Sequence, residues 1–121
     1  MWPWHSSLVL VLGLLIASAA WLSVETAQAD EEEPEFTEAV LNDPARIALG
    51  KDLFEQECQN CHGTTAYPGK APKLKPKKLA AEDVYLRMTY GWRNMPAWEE
   101  ILSQDERVAL TAYIKSRNFS P

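Results

Sequence analysis

Cysteine and histidine are scarce: the 121-residue chain has two of each. That count excludes a multi-disulfide scaffold. A four-ligand Cys/His zinc site would need all four, including His5 in a segment that reads as an export signal. Positive charge is not in excess either. Twelve Lys and Arg stand against 17 Asp and Glu, for a net charge of −5. Such a chain is a poor coat for nucleic acid, and no nucleic-acid partner is expected. No stretch alternates apolar and polar residues over a useful length, and no internal repeat is present. The expected fold class is therefore all-α. The length suits one domain.

Residues 8–22 are apolar apart from Gly13 and Ser18. That run fits the hydrophobic region of a signal peptide and is short for a membrane span of ~20 residues. Ala27-Gln28-Ala29 then supplies a small-x-small cleavage pattern, although residues 1–7 lack Lys and Arg. Two readings follow: a signal peptide over 1–29, or the same segment retained as a membrane anchor. Either places the rest of the chain outside the cytoplasm. Residues 30–43 carry acids and no base, and read as an acidic flexible tail. The domain proper is expected over 44–121. Its core is thin, and a small domain of this kind usually needs a metal, a disulfide or a cofactor as a staple.

Asn42-Asp43-Pro44 is a helix start, with a capping residue before Pro at the first helical position. Ile47, Gly50 and Phe54 follow at helical spacing, so a helix is expected over 44–59. Residues 63–78 hold Gly63, Pro68, Gly69, Pro72 and Pro76, which make a loop. That loop also holds Lys70, Lys73, Lys75, Lys77 and Lys78 with no acid between them. A second helix is expected over Ala81–Tyr90, stopped by Gly91, with Val84, Tyr85 and Met88 as its apolar stripe. Asp83 and Arg87 are spaced to pair on another face. Residues 98–102 allow one short helical turn. Ser103-Gln104-Asp105-Glu106 is a capping box opening a last helix that runs to about 117. Its expected buried stripe is Leu110, Tyr113 and Ile114, and its solvated stripe Arg107, Thr111 and Lys115.

Cys58-Gln59-Asn60-Cys61-His62 is a C-x-x-C-H motif. Two thiols one helical turn apart can add to the two vinyl groups on one edge of a haem. The adjacent imidazole then projects at the iron from one face. A thioredoxin-like redox pair would want a βαβ surround, which is missing. A zinc site would have Cys58, Cys61 and His62 and need a distant carboxylate. Buried free thiols would leave His62 unexplained.

Further along, four segments occur in order, and together the chain resembles the class I monohaem c-type cytochromes over about 44–117. Gly50-x-x-x-Phe54-x-x-x-Cys58-x-x-Cys61-His62-Gly63 is similar to that family's first helix and haem box. Gly69-Lys70-Ala71-Pro72-Lys73-Leu74, Asn94-Met95-Pro96-Ala97-Trp98 and Leu110-x-x-Tyr113-Ile114 are similar to its later segments. The resemblance implies a cytochrome c fold, with N- and C-terminal helices crossing around one covalent haem c. It implies thioethers at Cys58 and Cys61, and His62 and Met95 as axial ligands of the haem iron. It further implies that the Pro72 carbonyl accepts the proton of the unligated His62 nitrogen, and that Leu74 and Trp98 wall the pocket. Gly50 and Tyr113 match the helix crossing. The stretch from His62 to Met95 is short for the family, which implies one more open haem edge.

Met88 sits mid-helix on an apolar stripe and reads as core. Met95 sits in an irregular stretch before a Pro, where a side chain can be aimed inward. Trp92 and Trp98 read as packing against porphyrin rather than as an electron-hopping pair. The lysine run is either a solvated loop or a positive collar at the haem edge. The function these features imply is that of a periplasmic one-electron carrier, not an enzyme. It would be a monomer exchanging electrons with a dehydrogenase, an oxidase or a cytochrome complex, and would touch a membrane only if 1–29 is retained. Alternatives are a dedicated electron-accepting subunit of such a complex, or a haem peroxidase or sensor in which Met95 leaves the iron open.

Overall fold

A Pro at the first turn and an Asp before it open the helix on which the fold is built. The side chain of Asp43 accepts from the Ala45 N–H at 2.9 Å, capping α2, Pro44–Leu53. In this computed structural model, residues 32–64 and 69–119 are described. The signal or anchor reading of 1–29, and residues 65–68 of the loop, lie outside them. Residues from Glu32 onward form one unit. No helix among the described residues is long and apolar enough to cross a membrane.

The expected helix 44–59 runs further than its sequence pattern suggests. After α2 the chain makes a π-helical turn, Phe54–Cys58, and continues into α3, Gln59–His62. Gly63, at φ 77°, ends it. A π turn spans one residue more than an α turn and marks functional positions often. Here it rotates the C-x-x-C-H turn relative to the face that α2 lays on the last helix. A 3₁₀ turn, Pro76–Lys78, precedes α4, Ala81–Tyr90, and α5, Gln104–Lys115, follows. Helix α4 has the expected limits, stopping at Gly91 with φ 76°. The 98–102 turn is present: the N–H groups of Ile101 and Leu102 donate to the Trp98 carbonyl at 3.0 and 2.8 Å.

The capping box opens α5. Ser103 N–H donates to the Glu106 carboxylate at 2.8 Å, and Glu106 N–H to the Ser103 hydroxyl at 3.3 Å. The Ser103 backbone bond, then its hydroxyl, hold the Glu106 carboxyl below its ordinary value of 4.5. A carboxyl depressed on folding contributes fully above the unfolded value and loses that contribution as pH falls through the folded one. Ser103→Ala should cost ~1 kcal/mol at neutral pH in a denaturant melt. The gap from wild type should narrow as pH drops below about 4.5.

Helix α2 crosses α5 at Gly50. A Cβ built at Gly50 would collide with the Ala109 carbonyl oxygen and lie 2.9 Å from Tyr113 Cβ. The missing side chain lets the two helices touch, and Phe54 then stacks edge-on against Tyr113 at 5.7 Å. Phe119, which no sequence pattern marked, completes an aromatic triad at 5.0 Å from Phe54 and 5.3 Å from Tyr113. Met88, Leu102 and Leu110 extend this core. Gly50→Val should therefore cost about 3 kcal/mol or more by thermal or urea melt of the holoprotein. A variant as stable as wild type would show that the helices can separate there freely.

Three expectations need correction. The stripe of α5 expected to be solvated is not. Arg107 is 5% exposed and Thr111 0%. Helix α5 is the hub of the fold, packed by the short helix α1, Glu38–Leu41, by α2, by α4 and by the 3₁₀ turn, so it has no wide wet face. Arg107 is accommodated because Nη1 donates to the carbonyls of Glu99 at 3.1 Å and Leu102 at 2.7 Å, and Nη2 to the Tyr85 hydroxyl at 3.2 Å. Thr111 donates back to the Arg107 carbonyl at 2.9 Å. Lys115 donates to the carbonyls of Pro76, at 2.8 Å, and Leu79.

The second correction concerns the acidic stretch. Part of it lies on the domain: Phe36 packs on Tyr85 at 5.5 Å, and Gln104 donates to the Glu32 carbonyl at 2.7 Å. Thr37 caps the short helix α1, Glu38–Leu41. One aromatic outweighs the surrounding charge, because the acids point outward at no cost. Third, the Arg87 guanidinium lies over the Trp92 ring at 4.6 Å, instead of pairing with Asp83.

Candidate haem site

No disulfide joins the cysteines of the box, and Cys61 is exposed while Cys58 is half-buried. Burial pushes the Cys58 thiol up to about 12, with smaller contributions from Glu57 and Cys61. His62, at the end of α3, is half-buried, and burial lowers its pKa from 6.5. Its ring lies 6.5 Å from that of Phe54. No cluster of three or more His, Cys, Asp or Glu side chains suited to a metal ion occurs among the described residues. Cys58, Cys61 and His62 thus do not converge as a zinc site would require.

The segment after the box folds back on it. Ala71 N–H donates to the Cys61 carbonyl at 2.8 Å. A Cβ at Gly69 would collide with that same carbonyl oxygen and sit 2.7 Å from the Gly63 nitrogen. Glycine is needed there for the close approach of two backbones. The expected hydrogen bond from His62 to the Pro72 carbonyl is not made in the structure. His62 Nδ1 is buried with no partner among the described residues. Pro72 itself is exposed, whereas Leu74, two residues on, packs on the core.

Met95 lies on a tightly held loop. Trp92 and Met95 exchange backbone hydrogen bonds, at 3.1 Å from Trp92 N–H and 3.0 Å from Met95 N–H. Arg93 at the tip takes φ 55°, an uncommon conformation for a residue with a side chain. Behind the loop, Trp98 N–H is shared between the carbonyls of Met88 and Thr89, each at 3.1 Å. A Cβ at Gly91 would stand 2.7 Å from the Met95 carbonyl oxygen and 2.9 Å from Ala97 N. Gly91 thus both ends α4 and makes room for the loop. Arg107 fastens the loop's exit through Glu99 and Leu102. The room that Gly91 makes for the loop and the anchoring by Arg107 were not visible in sequence, where Gly91 read as a helix stop and Arg107 as surface.

The loop brings Met95 and Trp98 to the same core as Cys58 and Leu74; all four are partly buried against it. Trp92 stands beside Arg93 at the tip of that loop. It is 47% exposed, with guanidiniums of Arg87 and Arg93 over its ring at 4.6 and 4.3 Å. Two cysteines one turn apart, an adjacent imidazole whose buried Nδ1 has no partner among the described residues, and a thioether on a loop packed on the same core suit a c-type haem. In that arrangement Cys58 and Cys61 would take the thioether bonds, and His62 and Met95 would face the iron.

Comparison with known proteins agrees. The family described as "Cytochrome C oxidase, cbb3-type, subunit III" matches residues 45–114. The cytochrome bc1 complex cytochrome c subunit of Corynebacterium diphtheriae is 38% identical over 86 residues, covering 65% of this chain and 30% of that protein. This chain thus spans less than a third of that relative. Cytochrome c6 of Euglena gracilis is 36% identical over 74 residues, covering 54% of this chain and 85% of that protein. Cytochrome CL from Methylophaga aminisulfidivorans superposes with a TM-score of 0.57 over 72% of this chain and 70% of that chain. At 23% identity it attests the all-α cytochrome c fold alone. Matched over most of its folded part and carrying the haem box, the chain belongs to the c-type cytochrome family of the cbb3-type oxidase subunit III, with covalently bound haem c as its cofactor.

Proposed function

We propose that this cytochrome is an exported one-electron carrier whose haem iron is held by His62 and Met95. The observation that carries this reading is the loop at Met95. It is pinned at both ends and lays the methionine on the same core as Cys58, Leu74 and Trp98. When bound, haem c supplies a one-electron couple at its iron. His62 and Met95 would both hold the iron, leaving it no open position for a substrate, which suits a carrier rather than an enzyme. The soft thioether favours the ferrous state and raises the potential relative to two nitrogen ligands. Leu74 and Trp98 keep water from the pocket, and Pro72 borders it. The C-x-x-C-H box and the apolar 8–22 run fit a periplasmic protein, attached to a membrane only if 1–29 is retained.

An optical spectrum of the holoprotein tests the ligation. A six-coordinate low-spin haem with a sulfur-to-iron band supports it, and a five-coordinate high-spin haem overturns it. The partners are larger redox proteins: a dehydrogenase, an oxidase or a cytochrome complex. A second reading, a dedicated subunit of one such complex, draws support from the bc1 relative, which is itself described as a complex subunit. Stable co-purification with a membrane complex would favour it.

Lys70, Lys73, Lys75, Lys77 and Lys78 are all exposed. A positive loop beside the haem box would steer acidic partners toward the cofactor. Electron-transfer rate with the native partner should fall as ionic strength rises, although the chain is acidic overall. Reversing Lys70, Lys75 and Lys77 to Glu should slow the reaction about tenfold at low salt and leave the potential unchanged. A rate indifferent to reversal would make the run a solvated loop.

A further inference from the structure

The loop at Met95 displays a basic and aromatic surface. Trp92 is 47% exposed and Tyr90 63%. Tyr90 lies three residues from Arg87, hence on the neighbouring turn of the α4 surface. The guanidiniums of Arg87 and Arg93 stand over the Trp92 ring at 4.6 and 4.3 Å. Neither forms an ion pair with a carboxylate among the described residues. Arg93 holds its place through a backbone at φ 55°, a conformation that bulky residues keep only where the surroundings impose it.

We propose that Arg87, Trp92 and Arg93 form a second docking point, for an acidic segment of a redox partner. Three features converge on that occupant. A guanidinium stacked on an indole keeps its in-plane N–H groups free, so each can grip a carboxylate. Two like charges gathered on one ring repel each other, and an anion relieves that repulsion. Trp, Tyr and Arg are also the residues that concentrate binding energy at protein interfaces.

The position carries a consequence for the site. Trp92 is tied to Met95 by two backbone hydrogen bonds, at 3.1 and 3.0 Å. A partner seated on the indole therefore rests against the loop that presents the proposed ligand. It would engage a face distinct in sequence from the lysine run at 70–78. The docking point rests on the carrier reading only in its purpose; the binding itself does not depend on which side chain ligates iron.

The test uses ¹⁵N-labelled ferrous holoprotein and a synthetic hexapeptide of four Glu and two Leu at low ionic strength. The Trp92 indole N–H signal should shift saturably with peptide. In R87Q/R93Q the apparent affinity should drop about tenfold, with the haem spectrum unchanged. Reversal of Lys70, Lys75 and Lys77 should leave the Trp92 shift in place. An absent or non-saturable Trp92 shift, or one that survives R87Q/R93Q, overturns the proposal. A shift produced by anionic lipid vesicles but not by the peptide replaces it with a membrane contact. A shift produced by concentrating the protein alone replaces it with self-association. Loss of the sulfur-to-iron band in wild type would instead refute the ligation and leave the peptide result standing.

Discussion

Alanine at Cys58 or Cys61 should leave almost no haem-loaded protein. The argument is one of core size. The buried cluster contains Phe54, Met88, Leu102, Leu110, Tyr113 and Phe119, and beyond it the larger buried apolar side chains among the described residues are Val84, Tyr85 and Val108. Leu74, Met95 and Trp98 are only partly buried against it and present apolar surface that needs a cover. A domain this small commonly relies on a bound group for part of its folding free energy, and a covalent bond keeps that group from dissociating. With one thiol gone, the porphyrin is held at a single edge position; with both gone, by axial bonds alone. Holoprotein recovered from an exporting host should fall by an order of magnitude or more, read from haem absorbance per unit of protein. Acid–acetone extraction gives the companion measurement. Haem should stay with wild-type protein, and its passage into the organic phase would refute thioether attachment at both cysteines.

The parts of this fold legible in the sequence are those that local chemistry decides. The C-terminal end of α4 follows from Gly91 alone, because the φ of 76° there suits glycine. The start of α5 follows from Ser103 and Glu106, three residues apart, whose two bonds form within one turn. The haem box is a contiguous motif. Gly50 against Tyr113 was legible only through the resemblance, since nothing local says what a missing side chain will meet. What escaped depends on distant partners. Arg107 is buried because Tyr85, Glu99 and Leu102 supply acceptors, and no window around Arg107 contains all three. Phe119 lies in a polar stretch beyond the last helix, and its burial follows from the position of Phe54 across the fold. Phe36 is a lone aromatic in an acidic stretch, so charge hid its contact with Tyr85. The π turn at Phe54–Cys58, between the α2–α5 crossing and the haem box, has no residue signature. The His62–Pro72 bond, expected from the family pattern, is not formed, and the orphaned Nδ1 marks where it would be made.

Met95→Ala should change the redox behaviour of the protein more than any other single substitution outside the haem box. The two methionines of the domain sit in contrasting surroundings. Met88 is 3% exposed in the middle of α4, with its backbone in a regular helix. Met95 is partly buried on a loop fixed by Trp92, by Gly91 and by the Arg107 bonds to Glu99 and Leu102. A side chain that must meet a metal needs this kind of backbone support, because a ligand displaced by an ångström binds weakly. Removing the Met95 thioether should abolish the sulfur-to-iron band, open the iron to water and raise peroxidase activity. The potential should fall on the order of 0.1 V, a fraction of the ~0.8 V that axial ligands span. Met88→Leu conserves volume and should cost less than ~1.5 kcal/mol, with an unchanged spectrum. Gly91→Ala supplies an intermediate case. Its Cβ would press on the Met95 carbonyl at 2.7 Å and on Ala97 N at 2.9 Å, so the sulfur band should weaken with the methionine still present. If Met88→Leu lost the band and Met95→Ala kept it, the ligand assignment would have to be exchanged.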